Sequence, residues 1–188
     1  MIGSREASKA ANAAAGLKAK VPGAQVSGHG NERVLAEADF AVLAVPYPAH
    51  QSTVQQLRTY LRPTMVIDTC VGLDLDRPGV LKSPPEGSVL QQTMHILGPG
   101  SRVVAAFQNI PAGLLWDLDR KITANVLVCG DDEEAKQLAM TLAVSAGMGA
   151  LDAGPARNAR LVEAAAVLMD AINRLYSRSD MAVHVTAG

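Results

Sequence analysis

A small cationic site is predicted near the start of the chain. Ser4 and Arg5 follow the apolar stub Met1-Ile2-Gly3, and Lys9 lies four residues further on, on the same face of a predicted helix. In a dinucleotide-binding fold the end of the second strand meets the adenine ribose, and an arginine there accommodates the 2′-phosphate of NADP. The Ser4 hydroxyl can donate to the same phosphate. The alternative is that Ser4 only caps the helix and the two cations are solvated.

A proline-containing loop, AVPYPAH at 44–50, directly follows the apolar run FAVL. Chain segments of this kind lie over a dinucleotide at the carboxyl edge of a parallel sheet. On its own this pattern is weak evidence, because many buried strands end in such a loop. It gains weight only beside the cationic site.

The sequence shows no set of side chains that would act as nucleophile, acid and base. The histidines at positions 29, 50, 95 and 184 lie in unrelated segments, and no His or Cys spacing matches a metal site. Cys70 and Cys129 stand far apart in apolar contexts and are predicted to be buried, reduced thiols. We therefore assign no catalytic side chain and no metal. Chemistry that resides in bound cofactors needs neither.

Composition narrows the classes of partner. The chain has 188 residues with 17 basic and 18 acidic side chains, a formal net charge of −1, and only 3% aromatic residues. This balance argues against a nucleic-acid-binding surface. No run approaches the roughly 20 apolar residues of a membrane-spanning helix, and the start of the sequence does not resemble a secretory signal. We expect a cytoplasmic protein with neither a nucleic-acid nor a membrane partner.

The elements that would position these residues alternate between apolar runs and helical patterns, which is typical of an α/β fold with a parallel sheet flanked by helices. Residues 74–86 contain three prolines and are predicted to be an irregular lid or linker. The predicted strands cover the stub before Ser4, the surroundings of Val26, and 40–46, 64–69, 102–107, 125–130 and 150–154. The predicted helices cover 5–20, 31–39, 49–61, 88–97, a short stretch ending near 117, 133–146 and 156–177.

Five segments, in this order, resemble the coenzyme F420-dependent NADP oxidoreductases. They run through nearly the whole chain, and the last three are the more specific. The segments are GSRE with Lys9, AEADFAVLAVPYPAH, VVAAFQNIPA, VLVCGDDEEAKQ and LDAGPARNARLVEAAAVL.

The resemblance implies a Rossmann-like protein that transfers a hydride between NADP(H) and the deazaflavin coenzyme F420, without a general acid. It places Ser4, Arg5 and Lys9 on the 2′-phosphate of NADP, and Met181 near the nicotinamide end. It further implies that Val45, Pro46, Val71 and Ala112 lie beside the dinucleotide or its nicotinamide. The wall on which the two rings stack would be Gln108, Asn109, Ile110 and Pro111.

Two departures from the family pattern lead to further expectations. Some relatives have a histidine where this chain has Gln108, which changes the geometry of any hydrogen bond to the deazaflavin. The family also begins with a strand and a Gly-rich phosphate loop, whereas this chain matches from the second strand onward. We therefore expect the first strand and the Gly-rich loop to be missing, through a truncated gene product or through a decayed paralogue whose sheet a partner chain completes.

The expected organisation is an incomplete dinucleotide-binding domain at 1–130 and a small C-terminal helical part at 131–188. We expect a homodimer, because apolar surface on a helix and on the sheet would otherwise be exposed. The main alternative to an impaired oxidoreductase is a non-catalytic scaffold or interaction protein that has lost dinucleotide binding. A third hypothesis is an NADP-dependent imine or ketone reductase with Tyr47 or His50 as proton donor.

Overall fold

A computed structural model describes residues 1–74 and 76–186 and confirms the α/β class. Its strands are β1 (Ile2–Ser4), β2 (Gly28–Gly30), β3 (Phe40–Leu43), β4 (Met65–Asp68), β5 (Val103–Ala105), β6 (Asn125–Gly130) and β7 (Gly149–Asp152). Its helices are α1 (Ala7–Lys20), α2 (Asn31–Ala36), α3 (Tyr47–Gln56), α4 (Arg58–Leu61), α5 (Val89–Leu97), α6 (Ala112–Trp116), α7 (Glu133–Ser145) and α8 (Ala159–Leu175), the last preceded by a 3-10 turn at Ala156–Asn158.

Five strands form the main sheet, in the order β3-β4-β5-β6-β7. The pairs β3–β4, β4–β5 and β6–β7 are parallel, whereas β5 and β6 are antiparallel, with Val104 opposite Gly130. The expectation of a parallel sheet therefore holds for three of these four pairs. The exception has a physical reason: the connection from β5 to β6 contains only the five-residue helix α6, and antiparallel neighbours need no long crossover helix.

Successive residues of the central strands bury their side chains in two different cores, as strand geometry requires. Val66 and Val103 belong to the core that α3, α5 and α8 cover, and their sequence neighbours Ile67 and Val104 belong to the core that α7 covers. All four side chains are essentially fully buried. Continuous apolar runs are thus explained by a sheet with helices on both faces.

Polar side chains fix the start of two helices. Ser88 precedes α5 and accepts a hydrogen bond from the amide of Gln91. Asp132 precedes α7 and accepts from the amide of Ala135, as the acidic pair at 131–132 predicts. Asp131 instead accepts from the amide of Ala156, which ties the start of α7 to the turn before α8.

The structure corrects several predicted bounds. Helix α1 begins at Ala7, two residues after the predicted start at Arg5. The Ser4 hydroxyl accepts from the amide of Glu6, and Glu6 is the residue that precedes the helix. The strand expected near Val26 is Gly28–Gly30. The strand predicted over 40–46 ends at Leu43, and Pro46 stands at the N-cap of α3. The helix predicted over 49–61 is divided into α3 and α4 at Leu57.

Strands β1 and β2 form a separate two-stranded parallel sheet, with Gly3 opposite His29. A cleft of about 610 Å³ lies between β1 and β3, and both strands line it. None of the strands in the described residues fills this interval. Among the described residues 1–74 and 76–186, no helix is long and apolar enough to cross a membrane.

Candidate functional site

A cavity of about 460 Å³ opens beyond the carboxyl ends of β4 and β5, between the turn that follows β5 and one face of α8. Its size lies within the usual range of small-molecule sites. Six of the predicted site residues line it together: Val71, Gln108, Asn109, Ile110, Pro111 and Ala112. The family-like turn at 108–112 is therefore a wall of a real cavity.

The turn is hydrogen-bonded to β4 and β6, the two strands that flank β5. Gln108 donates from Nε2 to the carbonyl oxygen of Asp68 at the end of β4, at 2.8 Å. Asn109 donates from Nδ2 to the carbonyl of Asn125 at 2.7 Å, and its Oδ1 accepts from the amide of Leu127 in β6. Asn109 is 2% exposed, so it is chiefly a positioning residue.

Backbone strain marks the residue that starts this turn. Phe107 has a φ of 70°, in the left-handed region that a bulky side chain rarely adopts. Strain of this kind is concentrated at functional sites, where the surrounding contacts enforce it. Here the two anchored side chains that follow, Gln108 and Asn109, supply those contacts.

The Gln108 amide leaves one acceptor free. Because a carbonyl oxygen only accepts, the contact with Asp68 fixes Nε2 as the donor and leaves Oε1 as the other amide atom. Oε1 is buried and has no hydrogen-bond partner among the described residues. An orphaned buried acceptor is costly, and a ligand N–H would satisfy it.

The opposite wall comes from α8 and the segment after it. Asn173 lines the cavity, and its side-chain amide pairs with the Met181 backbone: Nδ2 donates to the Met181 carbonyl at 3.0 Å, and Oδ1 accepts from the Met181 amide at 2.9 Å. Met181 thus lies behind the wall, held by Asn173, and is not itself a lining residue. Its expected place near the nicotinamide end stays a prediction.

Two arginines stand at the rim of the cavity. Arg174 pairs with Asp170 and Arg178 pairs with Asp180, each at 2.8 Å. Hydrogen bonds from Arg178 and Arg120 hold the pKa of Asp180 well below its usual range. The positive charge of each of these arginines is therefore balanced by the carboxylate with which it is paired.

The loop over 71–82 borders the same cavity through Val71 and Leu73. In the segment 74–86, which was predicted to be irregular, the described residues form no helix or strand apart from an isolated bridge between Leu73 and Leu81. Asp74 is 2% exposed and forms ion pairs with Arg77 at 2.9 Å and Lys82 at 3.2 Å. These pairs tie the loop to itself beside the cavity.

The predicted cationic site lies elsewhere, at the carboxyl end of β1 and the start of α1. The Lys9 ammonium contacts the Glu6 carboxylate at 2.7 Å, and Ser4 Oγ accepts from the Glu6 amide at 3.3 Å. Arg5 is exposed and has no ion pair among the described residues. Ser4, Arg5 and Lys9 therefore lie close together, but none of them lines the cavity. Sequence reasoning missed Glu6, although it stands between two of the predicted residues.

The two remaining predicted residues follow β3. Val45 lines the cleft between β1 and β3, and its carbonyl accepts from Cys70 Sγ at 3.2 Å. Pro46 precedes α3 and stands at its N-cap position. The structure thus places Val45 and Pro46 near the ends of β3 and β4, outside the set that lines the cavity.

A buried polar network behind the cavity was not predicted. The Asp68 carboxylate accepts from Thr93 Oγ1 at 2.6 Å, His50 Nε2 at 2.9 Å and the Cys70 amide at 3.0 Å. Burial disfavours the charged imidazole, but the hydrogen bond and charge of Asp68 outweigh it and hold the pKa of His50 above its usual value. The one sequence signal was Asp68, an acidic residue ending an apolar strand.

Ligand atoms of His50, Asp68 and Cys70 come within 4.8 Å of one another. Burial raises the pKa of the Cys70 thiol far above its usual value, and the thiol donates to the Val45 carbonyl. In this arrangement the three groups satisfy one another and the neighbouring backbone through hydrogen bonds. The network therefore acts as a support for the end of β4, from which Gln108 is held.

Neither Tyr47 nor His50 is among the residues that line the cavity. His50 is completely buried, with Nε2 committed to Asp68. The geometry thus gives the third hypothesis, imine or ketone reduction with one of these residues as proton donor, no support at this site.

Glu163 on α8 is a second buried acid that sequence reasoning missed. Its carboxylate accepts from the amides of Val89 and Leu90 at the start of α5, the shortest contact being 2.9 Å. Burial raises the pKa of Glu163 to about 7, against the lowering effect of these two donors. Glu163 joins α8 to α5.

Comparison with known proteins shows which family the chain resembles. The profile of the family described as NADP oxidoreductase, coenzyme F420-dependent, matches residues 1–72. The F420-dependent NADP reductase of Methanocaldococcus jannaschii is 35% identical over 99% of this chain and 86% of its own length. The enzyme of the same name from Methanothermobacter marburgensis is 32% identical over 92% of this chain and 80% of its own length.

The chain belongs to the F420-dependent NADP oxidoreductase family. This membership confirms the resemblance carried by the five sequence segments. The fold agrees as well: the crystal structure of a candidate F420-dependent NADP reductase from Arthrobacter sp. FB24 has a TM-score of 0.75, with 20% identity over 86% of this chain and 76% of that one. At this identity the likeness supports the Rossmann-like fold alone.

Proposed function

We propose that the protein transfers a hydride between NADP(H) and the deazaflavin coenzyme F420. The observation that carries the proposal is the cavity at the carboxyl ends of β4 and β5, which is lined by the family-like turn at 108–112 and by Val71. The names of the related reductases support the same reaction. When bound, the two coenzymes supply all the redox chemistry, since a reduced nicotinamide donates a hydride and an oxidised deazaflavin accepts one.

The residues of this chain would position the rings and exclude water. The turn at 108–111 and the facing surface of α8 form two walls, and Val71, Ile110 and Val167 make part of the lining apolar. The unpartnered Oε1 of Gln108 is an acceptor that a ligand N–H would satisfy. Walls placed in this way would supply proximity and orientation, which are the main requirement of direct hydride transfer.

We propose that Ser4, Arg5 and Lys9 select NADP over NAD. Ser4 Oγ accepts from the Glu6 amide, so its own hydrogen is free to donate, and the exposed Arg5 has no competing carboxylate among the described residues. Charge-assisted hydrogen bonds from such groups favour a phosphate over a hydroxyl.

A titration tests this assignment. Calorimetry with the purified chain is expected to show micromolar binding of NADP and at least tenfold weaker binding of NAD. The double variant Arg5→Ala, Lys9→Ala should lose this preference, because it removes two charged donors. Lys18→Ala is the matched control, since Lys18 is an exposed cation further along α1. Equal affinity of wild type and double variant for NADP would contradict the assignment.

A non-catalytic scaffold remains the alternative function, and one observation favours it. Strands β1 and β2 are separated from the main sheet by the open cleft, so the predicted adenosine site stands on a small sheet of its own. A scaffold of this kind would bind neither NADP nor NAD. The same titration therefore distinguishes the two functions.

We further propose that the protein is a homodimer formed through α8. Leu161, Leu168 and Leu175 are 60%, 59% and 78% exposed and recur every seven residues on one face of the helix. An antiparallel pairing centred on Leu168 would place Leu161 opposite Leu175 of a second copy. A self-complementary stripe is what a two-fold symmetric interface requires.

A further inference from the structure

A short segment after α8, the strap, comprises residues 178–182 and borders the cavity. Its first two residues, Arg178 and Ser179, are part of the cavity lining. A Cβ atom placed on Gly113 of α6, which also lines the cavity, would lie only 3.2 Å from the Ser179 carbonyl oxygen. The strap therefore runs from the end of α8 to the wall that α6 forms.

Main-chain hydrogen bonds fix the strap at its two ends. The Arg178 amide donates to the Asn173 carbonyl at 2.7 Å, where Ser177, with a φ of 51°, reverses the chain after α8. At the other end, the carbonyl of Val183 accepts from the amide of Asn125 at 3.1 Å, at the start of β6. Between these two points, in the part of the chain that the structure describes, no other hydrogen bond joins the strap to main-chain atoms through its own main chain.

Side chains hold the middle of the strap. The Asn173 amide binds both main-chain groups of Met181. The Asp180 carboxylate pairs with Arg120 at 2.7 Å and with Arg178 at 2.8 Å. Because Arg178 belongs to the strap itself, the pair of Asp180 with Arg120 is the one that ties this carboxylate to the rest of the molecule.

The other walls of the cavity are held more firmly. Gln108 and Asn109 are anchored to strands of the main sheet, and α8 is a helix of 17 residues. In the loop after β4, the paired carboxylate of Asp74 is 2% exposed, whereas that of Asp180 is 21% exposed. Exposed ion pairs contribute little and are screened by salt. Segments held by few buried contacts open first, so the strap is the wall that opens most readily.

We propose that the strap is a gate to the cavity, latched by the ion pair between Asp180 and Arg120, and that ligands enter and leave when this latch opens. On opening, the strap moves away from Gly113 between its fixed ends, while α8 and the turn at 108–111 stay in place. The identity of what enters rests on the proposed function, but the opening itself does not.

Labelling of a cysteine inside the cavity measures the opening with no coenzyme present. The probe is Ala166→Cys, at a partly buried position of α8 that lines the cavity, and the reagent is a bulky, uncharged maleimide. The native Cys70 and Cys129 are buried, so mass spectrometry of the labelled peptides separates the probe from this background. In the probe protein, Arg120→Gln should raise the labelling rate by about two- to fivefold, in line with the small worth of an exposed ion pair.

The matched control is Arg77→Gln. Arg77 is one of two cations paired with Asp74, just as Arg120 is one of two paired with Asp180, and it lies in the other loop that borders the cavity. This control should leave the labelling rate unchanged. Asp180→Asn is a second test variant, expected to raise the rate as Arg120→Gln does.

Salt dependence and hydrogen exchange show whether an electrostatic latch is responsible. Added salt should speed the labelling of the probe protein but not that of its Asp180→Asn variant, because only the former has a latch to screen. Arg120→Gln should also speed exchange of the Met181 amide, which is bonded to Asn173, whereas Arg77→Gln should not.

Two results would overturn the proposal. One is an unchanged labelling rate in both Arg120→Gln and Asp180→Asn, and the other is an equal rise in Arg77→Gln. A chain that binds neither NADP nor F420 would still give the labelling result, so failure of the gate and failure of the proposed function are distinguishable.

Discussion

Glu6 is the residue that most changes the interpretation of the predicted phosphate site. Its carboxylate lies 2.7 Å from the Lys9 ammonium, and both side chains are more than half exposed. A phosphate that binds Lys9 must therefore displace this carboxylate or share the cation with it. The site contains its own weak competitor for NADP.

We expect Glu6→Gln to raise the affinity for NADP by about two- to fivefold, in line with the small worth of exposed ion pairs. Calorimetric titration at low ionic strength measures the change, and added salt should reduce it. The control is Glu37→Gln, which removes an exposed carboxylate that is paired with Arg33 on α2. An affinity that does not rise would show that Lys9 is not a phosphate ligand.

Glu163 makes a prediction about stability and pH. The folded chain keeps the Glu163 proton up to a pKa of about 7, whereas the ordinary value is 4.5. The unfolded state therefore releases this proton first, and the free energy of unfolding falls as pH rises from about 4.5 to about 7. At about 1.4 kcal/mol per pH unit, the loss in the free energy of unfolding is on the order of 3 kcal/mol.

Chemical denaturation of wild type and Glu163→Gln at several pH values measures this loss. The wild-type stability should fall relative to that of the variant between pH 4.5 and 7 and then level off. His50, whose pKa is also raised, is present in both proteins, so the part of its effect that comes from Asp68 cancels in the difference, whereas the smaller part that comes from Glu163 does not. Glu32→Gln, at an exposed position, should track the wild type. Parallel stability profiles for wild type and Glu163→Gln would contradict the assignment.

The residues of the site divide clearly into those that sequence can predict and those it cannot. The residues of the turn at 108–112 are contiguous in sequence, so the resemblance of this one segment to the family is enough to predict them. The contact of Glu163 with Val89 joins residues 74 apart, and that of Thr93 with Asp68 joins residues 25 apart. Partners this distant are brought together only by the packing of α8, α5 and β4.

At the scale of elements, local signals decide which bounds are predictable. Strand β6 is found at 125–130 as predicted, between polar and acidic flanks, and α7 follows its acidic cap. The orientation of β6 against β5 is not a local property, and there the expectation of a parallel pair is wrong. The helical pattern of α8 was predicted, but one of its faces is left uncovered by the residues that the structure describes.

That uncovered face carries the prediction about assembly. Leu168→Glu should convert the proposed dimer to a monomer, because it places a charge at the centre of the leucine stripe. Sedimentation equilibrium is the measurement, and circular dichroism should show an unchanged fold, since Leu168 is 59% exposed. The control is Leu118→Glu, at a position that is 61% exposed away from α8. A monomeric wild type at high concentration would contradict the dimer.

At the scale of the whole molecule, the two groups of predicted binding residues lie on two different sheets. The small sheet holds Ser4 at its edge, next to Arg5 and Lys9, and the main sheet holds the cavity with Gln108. The cleft between β1 and β3 separates the two. Sequence predicts each group of residues but not their separation, because strand order is a tertiary property. The division into 1–130 and 131–188 and the cytoplasmic location stay predictions.

The measurement that most directly tests the proposed function is an anaerobic assay of hydride transfer with the purified chain and oxidised F420. The expected result is loss of the visible absorbance of the deazaflavin with NADPH and little or none with NADH. Arg5→Ala, Lys9→Ala should reduce the rate at low NADPH, and Lys18→Ala should leave it unchanged. No reduction of F420 by NADPH, at coenzyme concentrations well above those that saturate binding, would contradict the proposed function.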